Sequence, residues 1–583
     1  MLVLTFFTNV SDGSQNHPFV NEEIMEVESI KPGMRGYGKT VFSGTKIKRF
    51  NVEILGVLKN YDAKSDMILV QLTGPVVEKT GIISGMSGSP VYINGKIIGA
   101  LSYAWAFAKD PVAGVTPIRE MLNILNKDPQ LSSNGANHKN SSAIIKASSK
   151  TNTYNNTLKP IRTPLMVSGF DKNVFSIMGD KLDSWGMTPF QSGVMGSGIS
   201  GNIEIEETDL LVPGAAVAAQ LVQGDLNAAA IGTVTYRNGN NILAFGHPFM
   251  QMGDIDFAMS EAYVHTTLAS RSLSAKMASP IRTVGKICQD RKAGIAGKIG
   301  EYAKMIPCSA EITGETPILY NFKIVHNDLL TANLCQMAFL SSLLSTEKQL
   351  GEVCMELAIK IYIEGRDEPV KLENVYYDPG SGALPIAQIT QPINELLNNR
   401  FKRVQIEKID FKARLIDEPK IAFVESLHVD KNDITPGATV NVKAKLRAFD
   451  KNCVIEKEID IQLPDDILPG SKIMITACSS IYSRLLNLER SPEKFKPANF
   501  KQLLNLIENR ELNNEIFIRV LLPRYGISYK GLQFPSLPPS ILSIMTKPNY
   551  SGTEMLFNEK IYRIKTDWVI NGNQSIFITS EKG

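Results

Sequence analysis

The sequence predicts a mainly β protein of several domains, on three observations. Strand-like apolar runs recur at residues 52–58, 68–72 and 231–236. Strict alternation appears further on, where Val440, Val442, Ala444 and Leu446 interleave with Asn441, Lys443, Lys445 and Arg447. Turn residues punctuate these runs, among them Asn94-Gly95, Pro436-Gly437 and Pro469-Gly470. The 583 residues, 43% hydrophobic and 21% charged, are enough for about three to five domains.

The first unit is expected over residues 20–128. Its most informative stretch is Gly85-Met86-Ser87-Gly88-Ser89-Pro90, which sets a serine on a glycine-bracketed turn. Such a turn points successive N–H groups into one concavity, so the amides of Gly85 and Ser87 can hold a developing oxyanion. Behind it, residues 91–93, Asn94-Gly95 and residues 96–103 form a β-hairpin signature. Thr116 then suits an N-cap and Pro117 the first helical position, and Ile118, Met121, Leu122 and Leu125 share one helical face. Serine turn, hairpin and closing helix resemble the end of a chymotrypsin-like serine peptidase barrel. That resemblance implies a substrate strand paired along residues 99–103, with Gly99, Ala100 and Leu101 as backbone partners.

A serine nucleophile needs a base, and the chain has six histidines. His17 and His138 lie in polar stretches, His326 and His428 beside polar residues in strand-like segments, and His265 in a packed strand. His247 differs: it follows a buried strand and stands between Gly246 and Pro248 on a rigid corner. A core histidine satisfied by a backbone carbonyl is the plain alternative. Gly232-Thr233-Val234-Thr235-Tyr236 with Ala244-Phe245-Gly246-His247, taken with residues 85–90, resembles the SpoIVB-type serine peptidases, which are chymotrypsin-like double barrels. The resemblance covers residues 30–128 and 190–300 and includes the glycine turn at Gly294 and Gly297. It implies that Ser87 is the nucleophile and His247 the base.

Two departures stand out. Ser87 precedes His247 by 160 residues, whereas in the family the histidine half comes first; the halves read as circularly permuted. Geometry and not chain order defines such a site. Where the family carries an aspartate, this chain reads Leu72-Thr73-Gly74-Pro75. Asp66, Asp254 and Asp256 are candidate acids, and a Ser–His dyad oriented by Thr73 or a backbone carbonyl is equally open. A narrow-specificity or self-processing endopeptidase follows; the alternative is an inactive envelope binding protein built on the same barrels.

Beyond the serine half, residues 129–160 read as a polar linker and 161–300 as the histidine half. Gly198-Ile199-Ser200-Gly201 lacks a hairpin behind it and reads as a loop. Residues 301–417 read as further strands with a helix near 330–344, 418–480 as an immunoglobulin-like sandwich, and 481–583 as an α+β region. A formal charge of +3 gives no argument for nucleic acid, and no span suits an integral membrane segment. The apolar start, residues 1–8, and the family's habits point to an extracytoplasmic home. Six cysteines without C-x-x-C spacing imply no metal, and no cofactor is expected. The partner is a protein or peptide substrate.

Overall fold

The computed structural model describes residues 22–105, 108–126, 158–193, 211–314, 316–346, 352–379, 386–416, 418–449, 453–529, 532–534, 537–546 and 553–581. Residues 1–8, His17, His138, most of the linker and the Gly198 loop lie outside them. The chain divides into two compact units, Met1–Gly169 with Phe175–Met305, and Phe170–Val174 with Ile306–Gly583.

The first unit holds two closed six-stranded antiparallel barrels. In one, β1 (Arg35–Val41), β2 (Ile47–Asp62), β3 (Ser65–Thr73), β4 (Pro90–Ile93), β5 (Lys96–Ala104) and β6 (Val112–Pro117) join in the order β1-β2-β3-β6-β5-β4, and β4 returns to β1. Asn94 and Gly95 both take positive φ at the β4–β5 turn, as the hairpin signature requires. The inward faces of Val52, Ile54, Ile68, Val70, Leu72, Val91 and Val115 fill the barrel. Between β6 and the second barrel lie β7 (Lys159–Pro160), β8 (Thr163–Ser168) and β9 (Met187–Gln191).

The second barrel repeats the winding. Its strands are β10 (Ala216–Gly224), β11 (Asn227–Asn238), β12 (Asn241–Ala244), β13 (Gly253–Leu268), β14 (Ala275–Arg291) and β15 (Gly294–Ile299). They join as β10-β11-β12-β15-β14-β13, with β13 returning to β10. The barrel strands begin at Ala216, so the expected histidine half, 161–300, includes an appended pair, β8 with β9, that runs parallel. The helix after β6 spans Ile118–Leu125. Pro117 stands at its N-cap while Thr116 remains in β6, and the buried face is Ile118, Met121 and Ile124. Those three pack with Tyr92 and Ala100 of the first barrel and Tyr236 and Leu243 of the second.

In the second unit, β16 (Ile306–Thr313), β17 (Ile318–Ile324), β18 (Glu352–Ile363), β19 (Val370–Pro379) and β20 (Ile406–Ile416) form a sheet in the order β19-β18-β20-β16-β17. The expected helix appears as Thr331–Thr346. Lys408 and Lys412 face outward from β20, paired with Asp410 and Glu311. The sandwich is larger than expected. Strand Ile421–Val429 pairs with Thr439–Ala448 and with Val569–Asn571, and Lys472–Cys478 pairs with Glu515–Tyr529 and Asn573–Ser580. One core joins Val442, Leu446 and Ile461 to Ile516, Ile518, Ile570 and Ile578. Residues 418–480 are too few to close two sheets, so the last hundred residues complete them.

Candidate functional site

The serine turn is held by glycine conformation and by hydrogen bonds. Gly85 (φ 95°) and Gly88 (φ 94°) take left-handed conformations that side chains disfavour. Met86 N–H donates to Ile83 O (3.0 Å), and Ser89 Oγ donates to Met86 O (2.6 Å). The amides of Gly85 and Ser87 make no hydrogen bond among the described residues, so both remain available to an oxyanion.

The second barrel grips this turn through the very residues of the Gly-Thr-Val-Thr-Tyr motif. Thr233 N–H donates to Ser87 O (2.8 Å), and Thr233 Oγ1 to Gly85 O (2.9 Å). Thr235 Oγ1 donates to Gly88 O (2.7 Å). Alternate residues of a strand share a face, which is why both threonine hydroxyls reach the turn. Gly232 is needed because a Cβ there would stand 2.0 Å from the Phe245 ring.

His247 sits on a corner that follows β12. Phe245 and Gly246 both have φ 70°, a costly conformation for a buried aromatic residue and one that concentrates at functional sites. Thr116 Oγ1 donates to Gly246 O (2.6 Å), pinning this corner to the serine barrel. The Nδ1 atom of His247 lies 2.8 Å from Pro248 O. A carbonyl only accepts, so Nδ1 carries the proton and Nε2 presents a lone pair. Burial pushes the imidazole down to about 4, against the opposing pull of the Pro248 carbonyl. The ring is therefore neutral at pH 7.

Ser87 Oγ and His247 Nε2 are both buried, and neither has a hydrogen-bond partner among the described residues. The two do not bond to each other here. Their flanking backbones are in contact nonetheless, since a Cβ on Gly88 would lie 2.5 Å from Phe245 N. The candidate acids lie elsewhere. Asp66 accepts from Lys59 (2.7 Å) and Asn60 N–H (2.9 Å), Asp254 pairs with Arg291, and Asp256 accepts from Lys304 N–H (2.8 Å). Thr73 is exposed at the end of β3. The role open to a backbone carbonyl falls to Pro248. Gly99, Ala100 and Leu101 are bonded along both edges, to β4 or the serine turn on one side and to β6 on the other, so the open edge of β5 begins only at Ser102. A strand in mid-sheet has no free edge to offer a substrate.

Two buried charges were not anticipated. Asp290, with no exposed surface, accepts from the amides of Phe249 (2.8 Å), Met250 (2.8 Å) and Met252 (3.0 Å). It thereby fixes the loop that carries the Pro248 carbonyl. Burial raises its carboxyl, opposed by those N–H groups. Lys276, equally buried, donates to Thr40 Oγ1 (2.8 Å) and Thr233 Oγ1 (3.2 Å), and its stem packs beside Gly85. Desolvation pushes the ammonium down to about 7. For Lys276 the sequence signal was a charge inside the apolar run Ala275-Lys276-Met277-Ala278; Asp290, between Gln289 and Arg291, carried none.

The other described histidines make ordinary contacts. His265 bonds Ser279 (2.9 Å), His326 accepts from Ile406 N–H (3.2 Å) and His428 bonds Ser426 (3.0 Å). Among the described residues no cluster of three or more His, Cys, Asp or Glu side chains could hold a metal, and no helix is long and apolar enough to cross a membrane.

Residues 7–122 match the model of the family described as SpoIVB peptidase S55. The match includes the serine turn and ends before His247. No curated protein and no solved structure matches the chain.

Proposed function

We propose, from the premise that this chain carries a SpoIVB peptidase S55 region at residues 7–122, that it is a serine endopeptidase working through Ser87 and His247. The observation that carries the reading is the 2.8 Å approach of His247 Nδ1 to Pro248 O: a carbonyl only accepts, which assigns the proton to Nδ1 and leaves a buried, unpartnered Nε2 as a base. Ser87 Oγ attacks the scissile carbonyl while its proton passes to Nε2. The oxyanion takes hydrogen bonds from the amides of Gly85 and Ser87. His247 then returns the proton to the leaving amine, and water hydrolyses the acyl-serine by the same route, restoring the free hydroxyl. The catalytic hydrogen bond of an unliganded site is commonly long and tightens with substrate.

A dyad oriented by a carbonyl lacks the charge that stabilises an imidazolium, so turnover is slow, which suits a narrow-specificity or self-processing peptidase better than a digestive one. Circular permutation accounts for the order of the two motifs, and the like winding of the barrels supports it. An extracytoplasmic location belongs to the same reading. The absent Ser87–His247 hydrogen bond favours a second reading, an inactive binding protein on the same barrels.

A fluorophosphonate probe separates the two. Covalent labelling of the full chain at Ser87, lost in Ser87→Ala, is the expected result. No Ser87-dependent labelling, either in the wild type or in variants that unseal the buried serine, removes the peptidase.

A further inference from the structure

The open edge of β5 is not empty. The register pairs Tyr103 with Pro160 and Ala104 with Lys159, antiparallel, and Ile161 N–H donates to Ser102 O (2.9 Å). Ahead of this, Leu158 O accepts from Tyr61 OH (3.1 Å). Beyond it, Pro164 reaches the serine turn, with its Cγ 3.4 Å from where a Cβ on Gly85 would stand. Gly88 N–H donates to Leu101 O (2.7 Å), so the residue next to Ser102 is already bonded to the serine turn. Residues 158–164 therefore run as an extended segment past the serine turn, beside Gly85 and Met86. The side chain of Ile161, 4% exposed, is drawn into the apolar cluster that contains Ile83, Met86 and Leu101. Ser87 itself has no exposed surface. A nucleophile that is sealed from water is also sealed from substrate.

We infer that residues 102–104 are the substrate-acceptor edge of this peptidase, that the edge selects an extended peptide with an aliphatic residue opposite Ser102, and that Lys159, Pro160 and Ile161 of the same chain occupy it here. The inference rests on the peptidase reading above. Strand addition supplies sequence-independent backbone bonds, while the pocket beneath supplies the choice of side chain. Isoleucine fits the pocket as a rigid apolar group, and a carboxylate there would be desolvated without a partner. The enzyme is accordingly latent toward peptides in trans until this segment leaves, and a segment held in cis competes at high effective concentration.

The test follows the rate of fluorophosphonate labelling at Ser87 in the full chain. Ile161→Ala and Ile161→Asp loosen the segment, so labelling accelerates by about tenfold or more, given the cost of removing a buried isoleucine. The aldehyde acetyl-Leu-Lys-Pro-isoleucinal then protects Ser87 in the Ile161→Ala variant, and its aspartate-ended counterpart does not. Should Ile161→Asp fail to fold, as judged by its melting transition, Ile161→Ala carries the test. Labelling of Ser87 at equal rates in wild type and variants, or equal protection by both aldehydes, overturns the inference and leaves the peptidase standing. No labelling in any variant removes the peptidase and the inference together.

Discussion

At the scale of single residues, the site depends on burial more than on charge. His247 has no carboxylate partner; Pro248 O fixes its tautomer, and desolvation holds it neutral to about pH 4. A base depressed in this way is deprotonated above that pH. The imidazole ¹⁵N resonances of His247 in the wild-type chain are therefore expected to titrate near pH 4, and an inflection at the ordinary histidine value of about 6.5 would contradict the burial. Lys276 gives a second pH signature. Its folded-state value of about 7 lies below the unfolded 10.5, so between these values the unfolded chain binds the extra proton. Wild-type stability contributed by this site is present above 10.5 and lost as the pH falls to 7, by at most about 1.4 kcal/mol per pH unit. Lys276→Met removes that slope. Denaturant titrations at pH 7 and pH 10 should show the variant gaining on wild type at the lower pH; parallel shifts at both would place the lysine in contact with solvent.

At the scale of elements, β11 and the loop after His247 do the positioning. Thr235→Val leaves the Gly88 carbonyl without its 2.7 Å donor, which costs about 1–3 kcal/mol for a buried acceptor and loosens the serine turn. Chemical denaturation gives the stability loss, and peptide hydrolysis in the Ile161→Ala background gives the accompanying fall in kcat. Asp290→Asn weakens the acceptor for the amides of Phe249, Met250 and Met252, so the Pro248 carbonyl drifts. A misplacement of about 1 Å costs up to about 10²-fold in rate, read in the Ile161→Ala background, with KM little changed. An imidazole ¹⁵N spectrum showing the Nε2–H tautomer in the variant would identify positioning as the cause; an unchanged tautomer with unchanged rate removes Asp290 from the account.

Much at this scale was legible in the sequence. The glycine-bracketed serine, the Asn-Gly hairpin and the threonine strand each have local rules, and the structure gives the threonines a definite task at the turn. What was hidden is what depends on distant packing. Asp290 follows the histidine by 43 residues and reaches the loop after it only through β14, whereas the nearer Asp254 and Asp256 turn to Arg291 and Lys304. Sequence proximity could not choose among them. The open edge of β5 starts a few residues later than the local pattern suggests, because pairing with β4, the serine turn and β6 consumes Gly99, Ala100 and Leu101.

At the scale of the whole molecule, two barrels wound in the same order bring the Ser87 turn and the His247 corner to one place through four hydrogen bonds between them: Thr233 N–H to Ser87 O, Thr233 Oγ1 to Gly85 O, Thr235 Oγ1 to Gly88 O and Thr116 Oγ1 to Gly246 O. Alternation along Val440 and Val442 announced the sandwich of the second unit. Its far strands were not legible because partners from Glu515–Tyr529 and Asn573–Ser580 enter only by tertiary pairing.

The most direct measurement is a crystal structure of the Ile161→Ala chain inactivated by a peptidyl phosphonate. The account predicts a bond from Ser87 Oγ to phosphorus, a phosphonyl oxygen about 2.7–3.1 Å from the amides of Gly85 and Ser87, and His247 Nε2 within hydrogen-bond reach of Oγ. An adduct on another residue, or an imidazole that stays out of reach of the modified serine, would contradict it.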